Sequence, residues 1–330
     1  MRSNVTFAGN VIVDCVKMLP EWPERGMLVA ISGVSRSVGG SVPNTGIDLR
    51  RLDPSLAVSA IAKVGADEPG DFALGTLSAA GIDTDRVVRV EGAATSTVDC
   101  LTLERTGERT FLCLRGANDL LAPGDIDVSG LDCDIFHLGY LLLLDGMDAP
   151  DGEYGTKAAR LLAKVQSAGI KTSIDIVSEQ SDRFERIVRP ALKYCDYCVI
   201  NEIEASRATG VDKDDMRGLC EGLVSLGVRE CAVVHRPEGS AAFDRRAGFA
   251  SVGSLELPEG WIKGAVGAGD AFCAGMLYSF LTGMPPEDGM RLASCAAAWN
   301  LSVADATGAA RSFQDTMELE RKFRRKKTCW

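Results

Sequence analysis

Gly264-Ala265-Val266-Gly267-Ala268-Gly269-Asp270-Ala271-Phe272 is the stretch on which the reading of this chain turns. Three glycines and two alanines precede Asp270, so a bound group can approach the backbone closely. From Ala268 to Leu281 the residues are apolar on nearly every face, which predicts a buried helix. The loop then offers free backbone N–H donors at a helix N-terminus, where the macrodipole favours an anion. No Lys-Ser/Thr pair follows the glycines, so this is not a Walker A loop. The spacing is not G-x-G-x-x-G either, and the stretch lies toward the wrong end of the chain for a dinucleotide fold. A carboxylate beside an anion-binding loop is what phosphoryl transfer needs. The amides of Gly267, Ala268 and Gly269 hold the charge of the moving group, and Asp270 takes the proton of the attacking hydroxyl. The same residues also suit a helix start packed on small side chains with an acid for its dipole, so the rest of the chain must choose.

Composition narrows the choice. A chain of 330 residues, 46% hydrophobic and 25% charged, suits one large α/β domain with a substantial core. The net charge is −10, and six basic residues crowd into Arg321 to Lys327, which leaves the preceding chain more acidic still. That acidity argues against a nucleic-acid partner, and the basic tail reads as a solvated end. The eleven cysteines lack framework spacing and sit mostly in apolar runs, which suits buried free thiols in a reducing compartment. Cys195-Asp196-Tyr197-Cys198 has C-x-x-C spacing but no second pair beside it. With only His137 and His235, imidazole-based catalysis is a poor fit. No signal peptide opens the chain and no 18-residue apolar run is present, so a cytoplasmic protein without membrane contact is expected.

Taken in order, Val5 to Val13 reads as one core strand with Asp14 just past its end, where ligands gather on open α/β sheets. Lys17 to Val38 lacks helical periodicity and reads as short strands and turns. Gly39-Gly40-Ser41-Val42-Pro43-Asn44 then leads into a helix through Leu52; the paired glycines allow close approach, and the Asn44 amide suits polyol hydroxyls. Ala57 to Val64 is a strand, followed by Gly65-Ala66-Asp67-Glu68-Pro69-Gly70 and a helix to Ala80. Thr97–Leu103 and Thr110–Leu114 form a hairpin around Gly107. Beyond Ile135 strands and helices alternate: Ile135–Leu138, a helix Glu153 to Ser167, Lys171–Ile176, a helix Arg183 to Tyr194, Cys198–Ile200, helices through Leu226, and Cys231–His235. This rhythm predicts a parallel sheet covered on both faces. Helices Ala268–Leu281 and Pro286–Ala304 close the reading.

These stretches together resemble the ribokinase-like (PfkB-type) carbohydrate kinases over nearly the whole chain. Gly39-Gly40 with Asn44 looks like the N-terminal motif of that family, Gly65 to Gly70 like its Gly-Asp turn, Asn201-Glu202-Ile203-Glu204 like its Asn-x-x-Glu element, and Gly267-Ala268-Gly269-Asp270 like its anion hole and catalytic aspartate. The resemblance implies one doubly wound, mostly parallel α/β domain over residues 1–330, with a small β-sheet lid at about 15–40 and 95–118. It implies an acceptor pocket lined by Asp14, Gly39, Gly40, Asn44 and Asn118, and Mg²⁺ organised by Asn201 and Glu204. ATP and Mg²⁺ are the expected cofactors, with a monovalent cation such as K⁺ compatible; a sugar is the expected acceptor, and a homodimer through the lid the expected assembly. A nucleoside kinase or a non-catalytic sugar binder on the same scaffold stays open. The chain departs from the family pattern at Gly264-Ala265, where Asp-Thr is usual. It departs again at His235-Arg236-Pro237, in place of Thr-x-Gly, and at His137-Leu138-Gly139-Tyr140, where ribokinases place an acidic sugar ligand.

Overall fold

The computed structural model describes residues 4–179, 182–328 and Trp330. The chain begins with β1 (Asn4–Gly9), whose apolar residues are buried, and turns at once into β2 (Ile12–Leu19). The expected single strand Val5–Val13 is thus two strands belonging to two different sheets. Gly9 has φ +153°, and a Cβ there would lie 1.4 Å from the Gly139 carbonyl oxygen. The chain peels away from the main sheet at this point. Asn10 holds the bend, donating from its backbone to Gly139 O (3.0 Å) and from its side chain to Leu143 O (3.2 Å). Asp14 therefore stands within a strand of the smaller sheet rather than at the end of a core strand.

β3 (Gly33–Gly39) returns along β2, and α1 (Ser41–Leu52), β4 (Ala57–Gly65), α2 (Glu68–Ala79) and β5 (Asp83–Val90) follow. Asp67 caps α2 through Gly70 N (3.0 Å) and also accepts from Thr95 N (2.8 Å), tying the Gly65–Gly70 turn to the base of the small sheet. β6 (Thr97–Leu103) and β7 (Arg109–Leu114) form the expected hairpin. The second half runs through β8 (Ile135–Leu141), α3 (Asp145–Asp148), β9 (Pro150–Asp151), β10 (Gly155–Thr156), α4 (Lys157–Ser167), β11 (Lys171–Ile176), α5 (Arg183–Leu192) and β12 (Tyr197–Asn201). It continues with α6 (Glu202–Thr209), α7 (Met216–Leu226), β13 (Cys231–Arg236), β14 (Gly239–Asp244) and β15 (Gly248–Gly253). α8 (Ala268–Thr282), α9 (Pro286–Asn300) and α10 (Phe313–Lys322) complete the order. The helix expected from Glu153 starts only at Lys157, where Thr156 Oγ1 accepts from Ala159 N and caps it (3.1 Å).

The main sheet has the order β15-β14-β13-β12-β11-β8-β1-β4-β5 and is parallel from β13 to β5, with β14 and β15 antiparallel at one edge. Both faces are covered. α4 to α7 bury their apolar sides on one face, and α1, α2, α8 and α9 on the other, giving two large cores. The lid is the separate sheet β3-β2-β6-β7, in which only the β2–β6 pairing is parallel. Strand order reverses direction between β1 and β8, so a crevice opens at the carboxyl ends of these strands, beneath the lid.

The basic tail is not a frayed end. Arg325 donates to both Glu320 oxygens, to Gly253 O (2.7 Å) and to Arg291 O (3.1 Å), and bridges to Leu255. Trp330 packs on the core of the first face. Ten of the eleven cysteines lie among the described residues, and these are free thiols. No helix among the described residues is long and apolar enough to cross a membrane.

Candidate active site

The α8 N-terminus lies at the crevice. Gly267 is its N-cap residue in the left-handed region (φ +80°), and a Cβ there would come within 2.6 Å of Ala306 O, so only glycine fits. No side chain caps this helix. Among the described residues the Gly267 and Gly269 amides keep their donors, while Ala268 N makes a long 3.4 Å bond to Ala265 O and the Asp270 amide turns to its own carboxylate. At Gly264 a Cβ would stand 3.0 Å from Val303 O, so the backbone of the following loop occupies space that the usual aspartate would need.

Asp270 is 8% exposed and is gripped from three directions. Tyr140 donates its hydroxyl to Oδ1 (2.6 Å), Asn44 its amide to Oδ2 (3.1 Å), and Thr45 its hydroxyl to Oδ1 (3.4 Å). Burial raises the Asp270 pKa to about 6 against the pull of these donors. Tyr140 and Thr45 were not anticipated; they come from 130 and 225 residues away in the chain, with no local mark. Asn44 thus reaches the carboxylate itself, while its Oδ1 is buried with no partner among the described residues.

Gly39 backs onto Asp14, where a Cβ would lie 2.2 Å from Oδ2, and burial lifts the Asp14 pKa to about 6. Gly40, at φ +93°, precedes α1 as its N-cap residue. Asn118 is buried with its amide committed to the Val11 backbone, accepting from Val11 N (3.2 Å) and donating to Val11 O (3.1 Å). It holds the turn between the two sheets in place.

Asn201 and Glu204 form a capping box at the start of α6. Asn201 Oδ1 accepts from the amides of Ile203 (3.0 Å) and Glu204 (2.9 Å), and Glu204 Oε2 accepts from Asn201 N (3.1 Å). Ser178 donates to Glu204 Oε1 (2.7 Å). Glu204 is 5% exposed, and burial raises its pKa to about 7 despite these bonds. Asp175, at the end of β11, lies within electrostatic reach of both Asp270 and Glu204, and burial keeps its carboxyl far above the ordinary range.

Beside the α8 N-terminus lies a cavity of about 760 Å³. Leu255, Leu257, Ile262, Ala297 and Leu301 give it apolar walls, and Arg236 and Lys326 stand at its edge. His235 also lines it, packed on Phe272 with ring centroids 4.8 Å apart; burial lowers its pKa to about 4, so the ring is neutral. The size suits a nucleotide, whose flat base needs apolar walls and whose phosphates need donors at one end.

A helix start with free amides, a buried carboxylate in its first turn and a cavity the size of a nucleotide thus meet at one crevice. Residues 2–312 match the pfkB family of carbohydrate kinases. The chain belongs to that family and is a sugar kinase, with an alcohol group as acceptor. An uncharacterized sugar kinase of Archaeoglobus fulgidus is 28% identical over 241 residues, covering 72% of this chain and 88% of the relative. The structure of Arabidopsis thaliana ribokinase complexed with ribose and ATP aligns at TM-score 0.80 and 20% identity, over 97% of this chain and 99% of that one. A putative ribokinase II from E. coli in complex with ATP and Mg²⁺ aligns at TM-score 0.78 and 18% identity, over 97% and 99%.

Proposed function

We propose that this protein transfers the γ-phosphoryl group of ATP to a hydroxyl of a small sugar, with Asp270 as the general base. The observation that carries the reading is Asp270 itself. It is a buried carboxylate with a pKa near 6, one residue after an uncapped helix start of small residues. At neutral pH it is ionised yet basic enough to accept a proton as the hydroxyl attacks. The first-turn amides at Gly267, Ala268 and Gly269 receive the charge of the moving group, and the helix dipole adds to them.

The acceptor lies between the lid and the crest. Asp14 takes two of its hydroxyls, Gly39 leaving room for the Asp14 carboxylate and Gly40 for the Asn10 backbone, and the unpartnered Asn44 Oδ1 accepts from a third. Asn118 acts on the pocket through the Val11 backbone. ATP occupies the 760 Å³ cavity. Mg²⁺ comes with the nucleotide phosphates and supplies charge neutralisation there. Glu204 and Asn201 fit an outer role toward it, through water, because their inner oxygens already serve the capping box. The relatives solved with ribose and ATP, and with ATP and Mg²⁺, support these assignments by fold.

A homodimer through the lid follows from the same reading. Val34 on β3 and Phe111, Leu112 and Leu114 on β7 are each more than half exposed on the two edge strands of the lid sheet. A second copy of the chain covers such a surface without new chemistry. The acceptor is identified by coupled ADP detection against a panel of pentoses, hexoses, sugar phosphates and nucleosides. Turnover on a sugar supports the reading; turnover confined to nucleosides, or none on any member, overturns it.

A further inference from the structure

Below Asp270, three side chains from three elements converge. His137 comes from β8, Asp175 from the end of β11, and Cys273 from α8, one turn beyond Asp270 on the same side of the helix. Their candidate ligand atoms all lie within 4.8 Å of one another. His137 is fully buried, Cys273 is 2% exposed and Asp175 9%. His137 Nδ1 pairs with Ser173 Oγ at 3.1 Å, while its Nε2 is buried with no partner among the described residues. Asp175 accepts from the Ile176 amide (2.8 Å), and no ion pair reaches it among the described residues.

An ordinary core histidine satisfies both ring nitrogens, because a buried polar atom left without a partner costs about 1–3 kcal/mol. Here an imidazole lone pair, a carboxylate and a thiol face one another instead, with the other ring nitrogen fixed by a hydroxyl. That outer contact is how metal-binding histidines are oriented. The donor set is nitrogen, sulfur and oxygen, which suits a borderline transition metal and not Mg²⁺.

We propose that His137, Asp175 and Cys273 form a site for a divalent transition metal of the Zn²⁺ class, distinct from the Mg²⁺ that accompanies the nucleotide. On binding, Cys273 releases its thiol proton to solvent, and Asp175 releases its own where it is protonated. The dication is then balanced by a thiolate and a carboxylate. Zinc–ligand bonds of about 2.0–2.3 Å place tetrahedral ligands roughly 3.5 Å apart, so the three side chains close inward on binding. The protein provides three ligands and leaves a fourth position for water. Burial already keeps the His137 ring neutral, with a pKa of about 3, so its lone pair is available without loss of a proton. Under the kinase reading, a dication this close to Asp270 weakens the base, so an occupied site inhibits turnover. Binding itself does not depend on that reading.

The test is a spectroscopic titration of the chelator-treated protein with Co²⁺, followed by displacement with Zn²⁺. One equivalent of Co²⁺ is expected to bind with a thiolate-to-metal charge-transfer absorption that Zn²⁺ abolishes. Cys273→Ser removes the absorption, and Cys113→Ser, at an exposed thiol, leaves it. Asp175→Asn weakens Co²⁺ binding at least about tenfold while the melting transition of the metal-free protein stays cooperative. An absorption that survives Cys273→Ser would place the metal on other thiols, such as the buried Cys195 and Cys198, and overturn the proposal. Absence of a charge-transfer band at stoichiometric Co²⁺, or unchanged affinity in Asp175→Asn, overturns it equally.

Discussion

Asp270 has three donors on two oxygens, and that arrangement sets how the residue behaves. Burial raises its pKa, and the bond from Tyr140 is the strongest force lowering it again. Removing that donor in Tyr140→Phe raises the pKa further. A base must be deprotonated to act, so the acid limb of the kcat/KM profile, expected near pH 6 in the wild type, moves to higher pH in the variant. A measured limb that stays in place would remove Tyr140 from the account. Asp48, on α1, gives a stability counterpart. It is 3% exposed, neither carboxylate oxygen has a partner among the described residues, and burial together with the Asp270 charge raises its pKa well above the ordinary carboxylate value. A carboxyl with a raised folded pKa binds its proton more tightly when folded, so its contribution is present at low pH and is lost as pH rises. Asp48→Ala is therefore expected to stabilise the protein by about 1–3 kcal/mol at pH 8 and by less at pH 5, as read from denaturant midpoints. Equal effects at both pH values would contradict this. Asp270 was legible in the sequence because small residues flank it on a local motif. Tyr140 and Thr45 were not, because only the folded sheet brings them to it.

Among the elements, the capping box at α6 separates two roles that share one side chain. Glutamine serves at the third position of a capping box as well as glutamate does. Glu204→Gln should therefore keep the melting temperature while raising the Mg²⁺ concentration needed for half-maximal rate and lowering kcat. An unaltered Mg²⁺ dependence would confine Glu204 to capping. At the other end of the chain, Arg325 ties α10 to β15 and α9. Its truncation in Arg325→Ala leaves the partly buried Glu320 with Arg291 and the Cys295 thiol, and should cost roughly 1–3 kcal/mol in chemical denaturation. A loss within error of zero would make the tail a loose end after all. The βαβ rhythm made the parallel strands from β8 to β13 readable. β14 and β15 escaped because Gly239–Asp244 and Gly248–Gly253 are rich in small residues and carry little alternation. The split of β1 from β2 hinged on Gly9 and Asn10, two residues hidden in an otherwise apolar run.

At the scale of the molecule, the two cores hold a mostly parallel sheet whose strand order switches between β1 and β8. Tyr140, Asp175, Asn201 and His235 all stand at or near the carboxyl ends of their strands, on the side where α8 begins. The lid adds Asp14 from above and carries an exposed apolar edge. Leu112→Asp should turn a dimer into a monomer by light scattering, and a wild-type protein that is already monomeric at working concentration would remove the lid interface. The role proposed for Asp270 as the base is tested most directly by its asparagine variant. Sugar-dependent ADP formation is compared between wild type and Asp270→Asn, with ATP binding measured alongside by calorimetry. The account predicts that kcat falls by roughly 10²–10⁴ while ATP affinity changes little. Turnover in the variant close to that of the wild type would contradict it.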